Sequence, residues 1–144
     1  MELDYDDLLH LDAEELAECG IADAYRRLLP ELSRYIRSPA TIEEIDEPES
    51  CRYAILCGGE RYDIWSPELD VRSGWRRAAF APFDIIKRQL TDSTVRFFAI
   101  NSDNDLGGMF LTPEDAISAR ASLPRRVDWP YLPTAEAPWH GQHH

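Results

Sequence analysis

Lysine is nearly absent from this chain of 144 residues: Lys87 stands alone, and every other cation is an arginine. That bias fits a GC-rich bacterial genome as well as any need for guanidinium, so it carries no function. Cysteine is scarce and odd in number, with Cys19, Cys51 and Cys57 at no metal-type spacing. A disulfide-stapled secreted domain normally has an even count, so reduced, partly buried thiols are expected. Cys51 and Cys57, six residues apart in an alternating segment, should share one face of a strand and lie too far apart to bridge. No apolar run approaches the roughly 20 residues that cross a bilayer. The acidic start, with Glu2, Asp4, Asp6 and Asp7, lacks the positive n-region of a secretory signal. A cytoplasmic location without membrane contact is expected.

Motifs that carry chemistry are missing too. His10 has no Ser-x-x-Lys, Gly-x-Ser-x-Gly or Cys/His constellation around it, and a packing or surface role is expected for it. Asn101, Asp103 and Asp105 alternate like calcium ligands, but Leu106 and Thr112 occupy the positions that need glycine and glutamate, so the segment is taken as a turn. His140, His143 and His144 have no fixed carboxylate or thiolate beside them and are bystanders. Gly58-Gly59 and Gly107-Gly108 open no helix in a phosphate-binding pattern and are read as hairpin glycines. No cofactor, metal or catalytic residue is assigned. Nucleic acid is excluded as a partner because its phosphates must be met by cations, whereas the net charge is −12.

What the chain does have is acid, and the acid is concentrated. Residues 1–50 hold 15 Asp and Glu against four Arg, which leaves the other 94 residues nearly neutral. Self-repulsion of this density costs stability. The candidate partner-binding residues are Asp4, Asp6, Asp7, Glu14, Glu15 and Glu18 in a first block, and Glu43, Glu44, Asp46 and Glu47 in a second. Leu8, Leu9, Ile42 and Ile45 are interleaved with them. Such a mixed face suits a basic protein partner, because complementary charge speeds encounter while a few apolar anchors supply affinity.

The length fits one domain, and the order of patterns predicts α+β: N-terminal helices, then a mainly antiparallel sheet of two hairpins with intervening and C-terminal helices. Residues 1–38 form the acidic helical part and 41–139 the rest, with 140–144 frayed. Asp12 and Glu15 make a capping box for a helix from about residue 13 to Cys19, ended by a left-handed Gly20. Tyr25, Leu28, Leu29, Leu32 and Ile36 then form a helical stripe that passes through Pro30, so a kink or a break near Leu29 is expected. Residues 41–45 resemble an edge strand. Cys51 to Cys57 and Arg61 to Trp65 flank Gly58-Gly59-Glu60 as a hairpin. Residues 66–81 are taken as irregular, with Pro82 as the first residue of a helix carrying Phe83, Ile86 and Leu90 and an Asp84–Arg88 pair. Thr94 to Ile100 should be a central strand paired with residues 108–111 across a polar loop from Asn101 to Gly107. Thr112-Pro113 opens a last helix that ends near Ser122. The tail, with Trp129, Tyr131 and Trp139, should be extended and packed through its rings.

A compact, acidic α+β domain with this composition resembles the small immunity proteins of bacterial polymorphic toxin systems, contact-dependent and type VI included. The resemblance is one of size and character, and it transfers no individual residue. It implies a tight complex with one cognate toxin domain, a basic nuclease being a common case, whose active site or substrate groove is blocked. Two alternatives come from other classes. One is a ligand-binding or enzymatic domain with a pocket lined by Tyr62, Trp65, Trp75 and Trp129; the other is an adaptor subunit of a constitutive complex.

Overall fold

Segments of period two and period 3.6 alternate along the chain, and the chain folds as α+β. The computed structural model describes residues 3–102 and 105–134. Its elements are β1 (Leu9–Leu11), α1 (Ala13–Ala17), α2 (Ile21–Leu32), β2 (Glu43–Glu47), β3 (Arg52–Cys57), β4 (Glu60–Trp65), α3 (Gly74–Gln89), β5 (Arg96–Ser102), β6 (Asp105–Leu111) and α4 (Pro113–Ser122). They build two antiparallel sheets, ordered β1-β6-β5 and β2-β3-β4. Strand β1 was not anticipated; its three residues take the free edge of β6 and leave His10 exposed.

Helix α3 lies between the sheets and touches both β4 and β5. Ala78, Ala79, Ala81, Pro82, Phe83, Ile85 and Ile86 are all buried, as expected of a helix apolar around most of its circumference. This corrects two expectations: residues 74–81 are helical rather than irregular, and Pro82 sits inside the helix rather than at its start. An interior proline costs about 3 kcal/mol or more. Burying several apolar side chains at roughly 1.5–3 kcal/mol each offsets it. Pro30 is likewise inside α2, and the helix runs on for two residues to Leu32, where turn bonds from Tyr35 and Ile36 back to Leu32 close it. It stays one helix.

The two faces of the β1-β6-β5 sheet bury different sets. Phe97, Ala99 and Leu106 join α1, α2, α3 and the second sheet in the larger core, whereas Phe98, Ile100, Met109 and Leu111 pack under Ala116 and Ala119 of α4. The β5–β6 hairpin is tighter than expected, pairing up to Ser102 and Asp105, so Gly108 is a strand residue as expected and Gly107 joins it in the strand rather than in the loop. Gly58 and Gly59, in contrast, form the two-residue β3–β4 turn with φ of 57° and 85°. Asn101 is in β5; its amide donates to the Val127 carbonyl at 3.2 Å and its Oδ1 accepts from the Tyr131 hydroxyl at 3.1 Å. Tyr131 also bridges Ala99 through the backbone, and the Trp129 indole donates to the Leu123 carbonyl at 2.9 Å. The extended tail is therefore fixed by its rings, as expected up to residue 134. Trp139, the terminal histidines and Asp103 lie outside the described residues.

Asp84 is the buried polar residue of α3. It accepts from the Tyr62 hydroxyl at 2.6 Å and from Arg88 Nε at 2.8 Å, which realises the expected pair and ties the helix to β4. Bonds to a charged group contribute about 1.5–3 kcal/mol each when desolvated, and Arg88 is too exposed to count in full. Asp84→Ala should therefore lower the unfolding free energy by about 2 kcal/mol, measured by urea titration. A loss no larger than that of an exposed carboxylate would show that the Tyr62 bond contributes nothing.

Candidate functional site

An apolar cleft of about 390 Å³ opens at the end of β2, lined by Cys19, Asp46, Pro48, Cys51, Arg52, Tyr53, Trp65, Ser66 and Val71. Local sequence builds each wall. Cys19 follows α1, which the Asp12 carboxylate caps by accepting from the Glu14 and Glu15 amides. The expected left-handed residue is Cys19 itself, with φ of 68°, and not Gly20. Gly20 is required for room: its amide donates to the Glu15 carbonyl at 2.8 Å, and a Cβ there would stand 2.4 Å from Glu15 Cγ. Cys51 has φ of 56° after the turn at residues 48–50, so it precedes β3 and does not share a strand with Cys57. These two cysteines are the non-glycine residues with positive φ among the described residues, and both line the cleft. Backbone of this kind costs about 1–3 kcal/mol per residue and collects at functional sites.

Trp65 forms another wall. Its indole donates to the Ala17 carbonyl at 2.8 Å, and its ring lies where a Cβ on Gly74 would sit, 2.0 Å from Cη2. Tyr53 forms the floor; its hydroxyl donates to Glu44 Oε2 at 2.6 Å. Burial, reinforced by that carboxylate, raises the Tyr53 pKa far above the ordinary tyrosine value. Burial together with the Asp46 and Glu44 carboxylates also raises the Cys19 thiol, so it is not an activated nucleophile. Val71 at the rim is 70% exposed, and Trp75 nearby in sequence is 48% exposed. Of the aromatic residues expected to line a pocket, Trp65 lines this cleft; Tyr62 bonds Asp84, and the Trp129 indole bonds the Leu123 carbonyl.

The acids do not form one face. Register and strand alternation place Glu44 and Asp46 on the side of Tyr53 and Glu43 and Glu47 on the opposite side with Ile45. Asp46 lines the cleft, and Glu44 bonds its floor. Asp6 and Asp7 line a separate, smaller depression with Glu31, Arg34, Tyr35 and Phe110, while Asp4 caps the turn at residues 5–7 by accepting from the Asp6 amide. Glu14 on α1 and Glu18 just after it are exposed, and Glu15 reaches Arg27 at 2.6 Å. Among the described residues none of the other candidate acids enters an ion pair. Two arginines of the second half are used locally: Arg77 donates to the Ile64 and Asp70 carbonyls, and Arg125 pairs with Asp128.

No protein-family model, curated protein or solved structure matches the chain. The site must be judged on its own chemistry. Among the described residues no group of His, Cys, Asp and Glu is arranged to hold a metal, and no helix is long and apolar enough to cross a membrane. The cleft and its acid rim were not foreseeable as a unit, because Cys19, Asp46, Cys51, Trp65 and Val71 come from five separate stretches. One sequence signal did exist: Pro48 to Cys51 interrupts two β-rich runs without glycine, and so forces a non-glycine residue into the turn's left-handed position.

Proposed function

We propose that this chain is an immunity-type inhibitor, which binds a basic toxin domain in the cytoplasm and covers that domain's active site or substrate groove. The observation that carries the reading is an apolar cleft lined by Asp46 at the end of an acidic edge strand, whose Glu43 and Glu47 lie on the opposite face of the same strand. Tyr53, Trp65 and Val71 offer a desolvated anchor point, while Glu43, Asp46 and Glu47 supply a field that attracts a cationic surface and repels acidic ones. A catalytic role draws no support from the cleft, whose one thiol with a resolved shift is held protonated. The cleft's size and apolar lining do favour a second reading, a site for a small apolar ligand.

Affinity capture of the tagged chain from its native lysate, washed at low and high salt, separates them. One toxin-like domain recovered near one-to-one is the expected result; a chain that retains only a small molecule favours the second reading. With that partner in hand, Glu43→Lys, Asp46→Lys and Glu47→Lys combined should slow association at low salt by roughly ten- to a hundredfold. Glu44 is left in place because it bonds Tyr53. Asp6→Asn with Asp7→Asn, in the other depression, should change the rate by about twofold or less. Equal effects of the two sets in stopped-flow kinetics would move the interface away from β2.

A further inference from the structure

Strand β2 ends its sheet: it pairs with β3 on one side only, in a continuous antiparallel register from Glu43↔Leu56 to Glu47↔Arg52. The backbone groups of its outer edge therefore have no strand partner among the described residues. We propose that this edge accepts an extended, lysine- or arginine-bearing segment of the partner protein as an added β-strand, with one apolar side chain of that segment seated in the cleft at the Asp46–Pro48 end. The proposal rests on the inhibitor reading for the identity of the partner, but its geometry stands on the edge and the cleft.

The charge selects the occupant. An open edge is a template for any strand, a second copy of this chain included. A second β2 would bring Glu43, Glu44, Asp46 and Glu47 against the same four carboxylates, and like charges directly opposite are destabilising. A basic strand reverses the sign opposite each of the four carboxylates. Because side chains alternate, its cations on one face would meet Glu44 and Asp46 and those on the other Glu43 and Glu47. The backbone supplies register-independent affinity and the cleft fixes the register, as in other strand-addition complexes where pockets read alternate side chains. Pro48 ends the edge, because proline has no N–H to continue the ladder, so the added strand has a defined stop beside the cleft.

The probe is a disulfide-closed β-hairpin peptide whose outer strand alternates lysine with valine, preorganised so that little ordering entropy opposes binding. Hydrogen exchange of the full chain with this peptide should slow the outward-facing amides within Glu43–Glu47, and binding should weaken as salt rises. The same peptide N-methylated along its outer edge keeps its charge and loses its strand bonds, and should bind about tenfold or more weakly. Equal affinity of the methylated peptide, or no protection in Glu43–Glu47, overturns strand addition. A captured toxin domain that leaves β2 amides unprotected overturns it too, while the inhibitor reading stands. If the hairpin adds to β2 and the chain captures no toxin domain, strand addition holds and the inhibitor reading falls.

Discussion

Gly108→Ala is expected to destabilise the protein by about 3 kcal/mol and to lower Tm by roughly 10 °C. Gly108 pairs with Ala99 across β6 and β5, and a Cβ there would stand 2.1 Å from Phe97 Cζ. Something must move, and Phe97 has nowhere to go. Its ring is 1% exposed and is held between Phe83, at 4.9 Å, and Phe110, at 4.7 Å, with Tyr35 stacked beyond Phe110 at 4.7 Å. The glycine is thus the recess that lets a column of four rings run from Tyr35, just beyond α2, along one face of the β1-β6-β5 sheet to Phe83 of α3. Phe97→Leu leaves a cavity when made alone, but it removes the obstructed ring tip. In the Gly108→Ala background it should recover part of the loss, so the double-mutant cycle gives a favourable coupling. Strictly additive losses by thermal denaturation would sink the account.

That recess shows what the sequence could and could not disclose. Where structure is set by neighbours in the chain, the prediction held: the Gly58-Gly59 hairpin, the Asp12 and Thr112 caps and the Asp84–Arg88 pair are all local. The side chain of Thr112 accepts from the Asp115 amide at 3.1 Å, and β2 is the edge strand that its charge implied. Gly107 looked like a loop residue and Gly108 like an ordinary hairpin glycine because composition cannot distinguish freedom of φ from room for a distant ring. Helix α3 was missed over residues 74–81 for a related reason: alanines beside Arg76 and Arg77 make a weak stripe, and only packing between two sheets makes small residues the right ones. The acids were legible as a quantity and not as a surface. Period-two alternation divides Glu43–Glu47 between two faces, and tertiary folding sends Asp6 and Asp7 to another depression, so charge density along the chain overstated its concentration in space.

Above about pH 10 the protein should lose stability steeply and unfold in one cooperative step near pH 11. Four tyrosines have hydroxyls withdrawn from water. Burial is the leading cause of the raised pKa at Tyr25, Tyr53, Tyr62 and Tyr131. Carboxylates add to it at two of them, since Tyr53 donates to Glu44 and Tyr62 to Asp84 at 2.6 Å each, and an ionised tyrosine there would face another anion. In the unfolded chain these hydroxyls ionise near pH 10. Folding therefore holds protons that the unfolded state has released, so stability is unaffected below about pH 10 and falls as pH rises towards the folded-state values. At pH 11 each tyrosine that remains protonated costs about 1.4 kcal/mol, and Tyr53, Tyr62 and Tyr131 together cost about 4, a large part of the 5–15 kcal/mol typical of a whole domain, with Tyr25 acting in the same direction. Absorbance at 295 nm and far-UV circular dichroism should change together, because the buried hydroxyls ionise only as the fold opens. Tyr53→Phe in combination with Tyr62→Phe removes two of the groups that drive the transition and should raise its midpoint relative to the variant's own stability at pH 7. Ionisation of all the tyrosines near pH 10 with the dichroism intact would mean that these hydroxyls are open to solvent and that the Glu44 and Asp84 bonds do not hold them.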